Sequence, residues 1–179
     1  MTRLKTLVPA IALALALPAS AFANCGTKAD RAPGPSLKAA RSATLCLLNA
    51  ERHRHHLRSL RMNRRLALAG KRHARDMVRH DYFAHDALSG QTFVDRIMRT
   101  HYVPAASTWF LGENLAWGSR AKSTPRQIVR AWMASPRHRH NILQSRFREI
   151  GIAIVGGAPV RGVRRAATYA TEFGAIRRH

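Results

Sequence analysis

Four side chains that can bind a metal or move a proton stand in separate short motifs of this 179-residue chain. They are His85 in Tyr-Phe-Ala-His, Glu113 in Gly-Glu-Asn-Leu, His138 in Ser-Pro-Arg-His-Arg-His-Asn-Ile-Leu, and Glu149 in Glu-Ile-Gly-Ile. The whole chain has nine acidic residues, so a carboxylate set beside glycine and aromatic residues is a candidate for chemistry.

Three hypotheses for these four residues stay open. The first is a metal site for Zn²⁺ or another divalent cation, with His85 and His138 as ligands and carboxylate help from Glu113 or Glu149, since neutral imidazole and carboxylate suit that ion. The second is a metal-free catalytic set that works by general acid and base catalysis. The third is a hydrogen-bond network that braces a cleft. Within the His138 motif, His138 and Asn141 are three residues apart and share a helix face, while His140 diverges from it.

Residues 1–23 have the pattern of a secretory signal peptide. Arg3 and Lys5 form a positive segment, and the apolar run 7–17 is far shorter than the roughly 20 residues that span a bilayer. Small residues then precede a cleavage site after Ala23. We therefore predict a mature chain without a transmembrane segment, which is secreted or associated with the cell envelope.

The two cysteines, Cys25 and Cys46, bear on the same export prediction. An exported protein meets oxidising conditions, where two cysteines most simply pair. We predict a disulfide that ties the N-terminal arm to the first helix, with two free thiols as the alternative.

The charge of the chain is strongly positive. The formal net charge is +22, and removal of Arg3 and Lys5 with the signal leaves +20 on the mature chain. Such a protein is expected to adhere to polyanions, so an anionic cell-envelope polymer or anionic lipid is a candidate partner. The alternative is a generally basic surface that reflects coding bias, because 26 of the 31 basic residues are arginine. Dedicated nucleic-acid binding is not expected, since no aromatic-rich base-stacking motif accompanies the arginines.

Helical periodicity comes first along the chain and strand patterns come late. Predicted helices begin near Leu37 and after candidate N-caps at Asn63, Thr92, Thr124 and Ser135. Residues 101–123 are predicted to be irregular. Alternation at 150–155 and again at 166–173 predicts a hairpin of two strands, and the order of elements favours an α+β layered domain.

The motifs also carry a family resemblance. His85, Glu113, His138 and Glu149 in their motifs, followed by Thr168-Tyr-Ala-Thr-Glu-Phe-Gly174, resemble in order the CAP superfamily of cysteine-rich secretory, antigen 5 and pathogenesis-related 1 proteins, also called SCP-like domains. Within this superfamily, the chain resembles the YkwD-type extracellular branch of bacteria. The resemblance implies a CAP/SCP-like domain over residues 43–174, between an arm with the start of the first helix at 24–42 and a basic tail at 175–179.

The same resemblance implies a three-layer α-β-α sandwich with a His/Glu cleft that holds a divalent ion in some members. His85, Glu113 and His138 are its firmest matches, and Glu149 matches the bacterial pattern. This chain departs from that pattern at Arg137, where glycine is usual, and at His140, where a small residue is common.

Three functions follow as expectations, in this order. The first is a secreted binding module for an envelope or lipid-type ligand. The second is a hydrolase of peptide, glycan or phosphodiester bonds, which uses a metal or acid/base pairs. The third is an interaction scaffold. The residues do not decide whether the protein is an enzyme, nor its oligomeric state.

Overall fold

The computed structural model describes residues 25–34 and 37–178, so the predicted signal peptide lies outside the described residues. Within this part, short 3-10 turns at Thr27–Asp30 and Arg120–Ser123 accompany five α-helices and four strands. The helices are α1 (Leu37–Arg54), α2 (Arg64–His80), α3 (Phe93–Met98), α4 (Pro125–Ala134) and α5 (Pro136–Leu143), and the strands are β1 (Arg61–Met62), β2 (Ser107–Ser119), β3 (Glu149–Gly156) and β4 (Ala166–Arg178). Among the described helices, none combines the length and apolar character that a membrane span requires.

Three of the predicted helix starts are confirmed by side-chain caps. The Asn63 side chain accepts hydrogen bonds from the first-turn amides of α2. Thr92 and Asp95 form a reciprocal capping box at the start of α3. Thr124 caps α4, and Pro125 fills its first turn, where a missing N–H costs nothing. These local signals fix where the helices begin.

The four strands form one sheet in the order β1-β3-β4-β2. β3 and β4 pair antiparallel over the full length of β3, which confirms the predicted hairpin. β4 then pairs antiparallel with all 13 residues of β2, and the short β1 pairs parallel with the start of β3. β2 and β1 are therefore at opposite edges of the sheet.

Helices cover both faces of this sheet, as the family resemblance implied. One face of β3, with Ile150, Ile152 and Ile154, packs in the core formed with α1, α4 and α5. The other face, with Ala153 and Val155, packs against α2. The result is the predicted three-layer α-β-α sandwich, whose middle layer alternates its side chains between two cores.

A glycine allows α2 to lie close to the sheet. A Cβ added at Gly151 on β3 would come within 2.1 Å of the backbone of Leu66 and Ala67 at the start of α2. No side chain fits in that space, so the helix rests directly on the strand backbone. The position explains the glycine in the predicted strand at 150–155.

Two expectations for the sheet were wrong. Residues 101–123 were predicted to be irregular, but 107–119 form β2, an edge strand. The basic tail predicted at 175–179 begins inside β4, which continues to Arg178 because 175–178 pair with the first four residues of β2. Both errors have one cause, since the paired residues of β2 and β4 are 47 to 71 positions apart in sequence and leave no local signal.

The N-terminal arm is held by the predicted disulfide. Cys25 and Cys46 are bonded, with an Sγ–Sγ distance of 2.02 Å and 21 residues of sequence separation. The bond joins the arm to the middle of α1. The described residues contain no free cysteine.

Arg52 on α1 is a buried cation that organises the loops around α5. Its guanidinium donates to the carbonyl oxygens of Arg58 at 2.8 Å, Ile142 at 2.7 Å, Gln144 at 3.0 Å and Phe147 at 3.3 Å. Burial lowers the pKa of Arg52 to about 10, which leaves it charged at neutral pH. Four backbone acceptors thus satisfy one buried charge, and they fix the end of α5 relative to α1.

Candidate functional site

Glu113 is the centre of the candidate site. It lies near the middle of β2, and its side chain is 1% exposed. One carboxylate oxygen, Oε1, accepts a hydrogen bond of 2.7 Å from His85 Nδ1, and the other, Oε2, accepts one of 2.7 Å from Arg96 Nη2. Both oxygens of this buried carboxylate are therefore engaged by positively charged or polar nitrogens.

Arg96, on α3, also fixes the loop that carries His85. Its guanidinium donates to the His85 carbonyl at 2.8 Å and to the Gln91 carbonyl at 3.0 Å. On the other side, the His73 ring on α2 donates to the Ala84 carbonyl at 2.9 Å. These bonds hold the backbone of the loop between α2 and α3 on both sides of His85, although the His85 side chain is 57% exposed.

His138 lies on α5, and two asparagines hold this helix against β2. Asn114 on β2 donates to the His138 carbonyl at 3.0 Å, and Asn141 on α5 donates to the Glu113 carbonyl at 3.0 Å. The two amides also bond each other at 2.9 Å. The Asn114 amide therefore holds the helix of His138 against the strand of Glu113.

Gly112 permits this close contact between strand and helix. A Cβ at that position would lie 3.2 Å from Asn141 Oδ1 and 3.0 Å from the ring of Phe147. A glycine is required where the backbone approaches another group closely or adopts a positive φ. Close approach is the reason that the structure supports, because Gly112 is not among the positive-φ glycines of the described chain.

The side chains of His85, Glu113 and His138 line a common cleft of about 670 Å³. Its lining residues are His85, Glu113, Ser135, Pro136, Arg137, His138, His140 and Asn141. The two residues that depart from the family pattern, Arg137 and His140, both line this cleft and are exposed.

The two cleft histidines differ in their electrostatics. The hydrogen bond to the Glu113 carboxylate raises the pKa of His85 above its ordinary value. Burial, together with the nearby His85 charge, lowers the pKa of His138. For Glu113, burial opposes ionisation, but the His85 hydrogen bond and the Arg96 charge outweigh it and lower the pKa. At neutral pH the cleft therefore holds an ionised Glu113, a His85 disposed to be charged and a neutral His138.

A second buried carboxyl stands beside Glu113. Glu172 on β4 is directly opposite Glu113 in the β2–β4 pairing and is fully buried. Burial and the Glu113 charge raise its pKa well above the ordinary value, which favours the protonated form of Glu172. No described donor reaches its oxygens, and the retained proton can instead be donated to Glu113.

The structure does not bring Glu149 to this cleft, which corrects the predicted four-residue set. Glu149 begins β3, and β4 separates it from Glu113 on β2. Its carboxylate accepts hydrogen bonds from Asn63 Nδ2 at 2.9 Å and Tyr102 Oη at 2.8 Å instead. Spacing along the sequence could not reveal this, because the strand order decides which residues are neighbours.

In this cleft, the side chains of the predicted set that are free to bind a metal ion are the imidazoles of His85 and His138. No group of three or more histidine, cysteine, aspartate or glutamate side chains converges in a ligand geometry among the described residues. Both carboxylate oxygens of Glu113 already accept hydrogen bonds, from His85 and Arg96. Glu149 lies outside the cleft, where it bonds Asn63. Because His85 Nδ1 donates to Glu113, its Nε2 remains as a ligand atom, in the carboxylate–histidine arrangement common around metals. The chain therefore offers His85 and His138, with other positions left to water or a bound ligand.

Three residues of this network were not recognised as functional from the sequence. They are His73, Arg96 and Glu172. For two of them the signal is polarity inside an apolar pattern: His73 lies in the buried stripe of α2, and Glu172 lies in a strand of which nearly every residue is buried. Burial and the Arg96 charge lower the pKa of His73, which keeps that ring neutral.

Sequence comparison agrees with this geometry. The family model described as CAP, cysteine-rich secretory protein family, matches residues 45–170. The uncharacterized protein YkwD of Bacillus subtilis (strain 168) is 33% identical over 109 residues, which is 61% of this chain and 40% of YkwD. The chain thus spans about two fifths of the length of this relative.

Three solved structures share the fold. An extracellular protein containing an SCP domain from Bacillus anthracis str. Ames is 25% identical, with a TM-score of 0.58 over 78% of this chain and 44% of that one. An outer surface protein from Borrelia burgdorferi is 20% identical, with a TM-score of 0.65 over 79% of this chain and 96% of that one. A cysteine-rich secretory protein from Staphylococcus aureus subsp. aureus Mu50 is 19% identical, with a TM-score of 0.53 over 75% and 37% of the two chains. The last two likenesses concern the fold alone.

Proposed function

This chain belongs to the CAP family of cysteine-rich secretory proteins, and from that premise we propose that it is exported and binds an anionic lipid or envelope component in the cleft between His85 and His138. The charge of the cleft is the observation that carries this proposal. Glu113 is the single acidic residue among the lining residues, and His85 and Arg96 neutralise it. The remaining ionisable lining residues are Arg137, which adds a positive charge, and His138 and His140, which add imidazoles.

Export is supported by the disulfide and by the signal pattern. Disulfides such as Cys25–Cys46 persist in oxidising compartments outside the cytoplasm. Residues 1–23 supply the expected signal, and the relative from Bacillus anthracis is described as extracellular.

A divalent cation such as Zn²⁺ is part of the proposal. His85 and His138 would supply two imidazoles, and a structural zinc site normally has four protein ligands. Two protein ligands suit an exchangeable ion whose coordination an anionic ligand completes. The ion would supply a positive charge that attracts such a ligand, while Glu113 orients the His85 ring through Nδ1.

Vesicle binding by the mature protein, residues 24–179, tests the proposed ligand class. The protein should sediment with vesicles that contain anionic lipid and should remain in solution with neutral vesicles. The double variant Arg137→Ala/His138→Ala should bind less than Arg164→Ala, which removes one exposed arginine in the β3–β4 turn. Equal binding of both variants to anionic vesicles would refute the role of the cleft.

Calorimetric titration of Zn²⁺ into chelator-treated protein tests the ion separately. Heat of binding should be lost in His85→Ala and in His138→Ala and retained in His140→Ala. Binding that survives both of the first two substitutions would exclude the imidazole pair as the metal site.

A hydrolase is the second candidate, favoured by the opposite pKa shifts of the two histidines. A neutral His138 can accept a proton from water, while a charged His85 can donate one to a leaving group. Activity of the wild-type protein on peptide, glycan or phosphodiester substrates should then be abolished by His138→Gln. Activity that persists in this variant would remove His138 as the base.

A further inference from the structure

A second basic concavity lies on the molecule, away from the cleft. It is a groove of about 380 Å³ where α1 and α2 flank the end of β3. We call it the edge groove, and its lining residues are Leu37, Arg41, Lys71, Arg75, Val78, Arg79, Ile154, Val155 and Gly156. It shares no lining residue with the cleft of His85 and His138.

The positive charges of the edge groove are arranged in a line. Lys71, Arg75 and Arg79 follow one another at four-residue intervals on α2. Eight residues of α-helix rise by about 12 Å, so the three cations follow one side of the helix over that length. Arg41 on α1 contributes a fourth cation to the lining.

No carboxylate compensates these four charges. Among the described residues, none of the four cations has a salt bridge, and no acidic residue lines the groove. Asp76, on the same helix, bonds the Tyr82 hydroxyl and His80. The groove therefore keeps a positive potential over its whole length, and its apolar floor strengthens the field.

We propose that the edge groove binds a linear polyanion built of repeated phosphate groups. A line of cations matches a chain of regularly spaced charges better than a single head group does. The lining contains no aromatic side chain on which a base could stack, which favours a polymer without bases over single-stranded nucleic acid. This site is independent of the cleft, so the two proposals stand or fall separately.

The test measures binding of inorganic polyphosphate to the mature protein at several salt concentrations. Each phosphate contact adds about 0.7 to the slope of log affinity against log salt for a single-stranded polyanion. The groove variant Lys71→Gln/Arg75→Gln/Arg79→Gln should bind more weakly, with a slope reduced by about 2. The control variant Arg58→Gln/Lys122→Gln/Arg164→Gln removes the same charge from exposed positions outside the groove and should keep the wild-type slope.

The outcomes separate the groove from general basicity and from the cleft. An equal loss in the groove and control variants would overturn the proposal, because binding would then follow net charge alone. Tighter binding of a single-stranded oligonucleotide of matched charge, with the same dependence on the groove, would overturn the choice of a base-free polymer. His138→Ala should leave polyphosphate binding unchanged, and a loss there would place the polyanion in the cleft instead. Circular dichroism of each variant confirms that α2 is folded.

Discussion

The substitution Glu172→Gln tests the buried carboxyl pair beneath the cleft. Glu172 is opposite Glu113, and the Glu113 charge, together with full burial, raises the pKa of Glu172. His85, Arg96 and His73 are the other ionisable groups around the pair, and Arg96 acts in the opposite direction on Glu172. We expect Glu172→Gln to make the stability of the protein less sensitive to rising pH.

The magnitude follows from proton linkage. Above a pH of about 4.3 the unfolded chain releases the Glu172 proton, while the folded protein keeps it until the pH reaches the raised pKa. In that window the wild type loses about 1.4 kcal/mol of folding free energy per pH unit from this group. Glutamine does not ionise, so the variant lacks this loss. As the pH rises from about 5.5, the stability difference should therefore shift in favour of Glu172→Gln by about 1.4 kcal/mol for each pH unit below the raised pKa.

Urea unfolding followed by tryptophan fluorescence across this pH range measures the shift. Only the pH dependence of the difference is used, because the new amide also changes hydrogen bonding by an amount that does not vary with pH. A difference that stays constant from about pH 5.5 to 7.0 would refute the protonated state of Glu172. Infrared spectroscopy gives a direct check: a protonated carboxyl band at neutral pH should vanish in Glu172→Gln and persist in the matched control Glu149→Gln.

Three further predictions concern the disulfide, the buried Arg52 and the hydrogen bond between Glu113 and His85. Replacing Cys25 and Cys46 by serine should lower the free energy of unfolding by about 3 kcal/mol, measured in urea, because a loop of 21 residues is no longer closed. Arg52→Met should lower it by at least about 3 kcal/mol, since four carbonyls lose their donor, and a smaller loss would show that water replaces the guanidinium. In Glu113→Gln the pKa of His85 should fall toward its ordinary value, measured by NMR titration of the ring, and an unchanged pKa would refute Glu113 as its cause.

The sequence predicted the features that depend on contacts between residues close together in the chain, and those that a recognisable motif marks. The side chains of Asn63, Thr92 and Thr124 accept hydrogen bonds from amides two or three residues further along the chain. The residues that fix these helix starts are therefore close together in sequence. The disulfide was predictable because the chain has two cysteines and a signal pattern. The family resemblance rested on motifs at His85, Glu113 and His138, and these three residues line one cleft.

Contacts between distant segments were the part that the sequence did not predict. β2 owes its regularity to pairing with β4, and its glycines at 112 and 118 interrupt the alternation that would have marked a strand. Glu149 was grouped with the cleft because its motif belongs to the same family pattern, yet β4 lies between it and Glu113. Arg96 could not be recognised as a partner of Glu113, since 17 residues separate them and no motif marks the pair.

The role of Glu113 decides which substitution can probe the chemistry of the cleft. Glu113→Gln leaves the buried Arg96 without its anionic partner, and the amide keeps one acceptor oxygen where the carboxylate offers two to His85 and Arg96. A loss of binding or activity in that variant would therefore report damage to the frame as much as to the chemistry. His138 is different, because Asn114 bonds its backbone carbonyl, which a substitution of the side chain leaves in place. Changes at His138 with α5 still clipped to β2 thus report directly on the imidazole, and they separate a binding or catalytic role from a structural one.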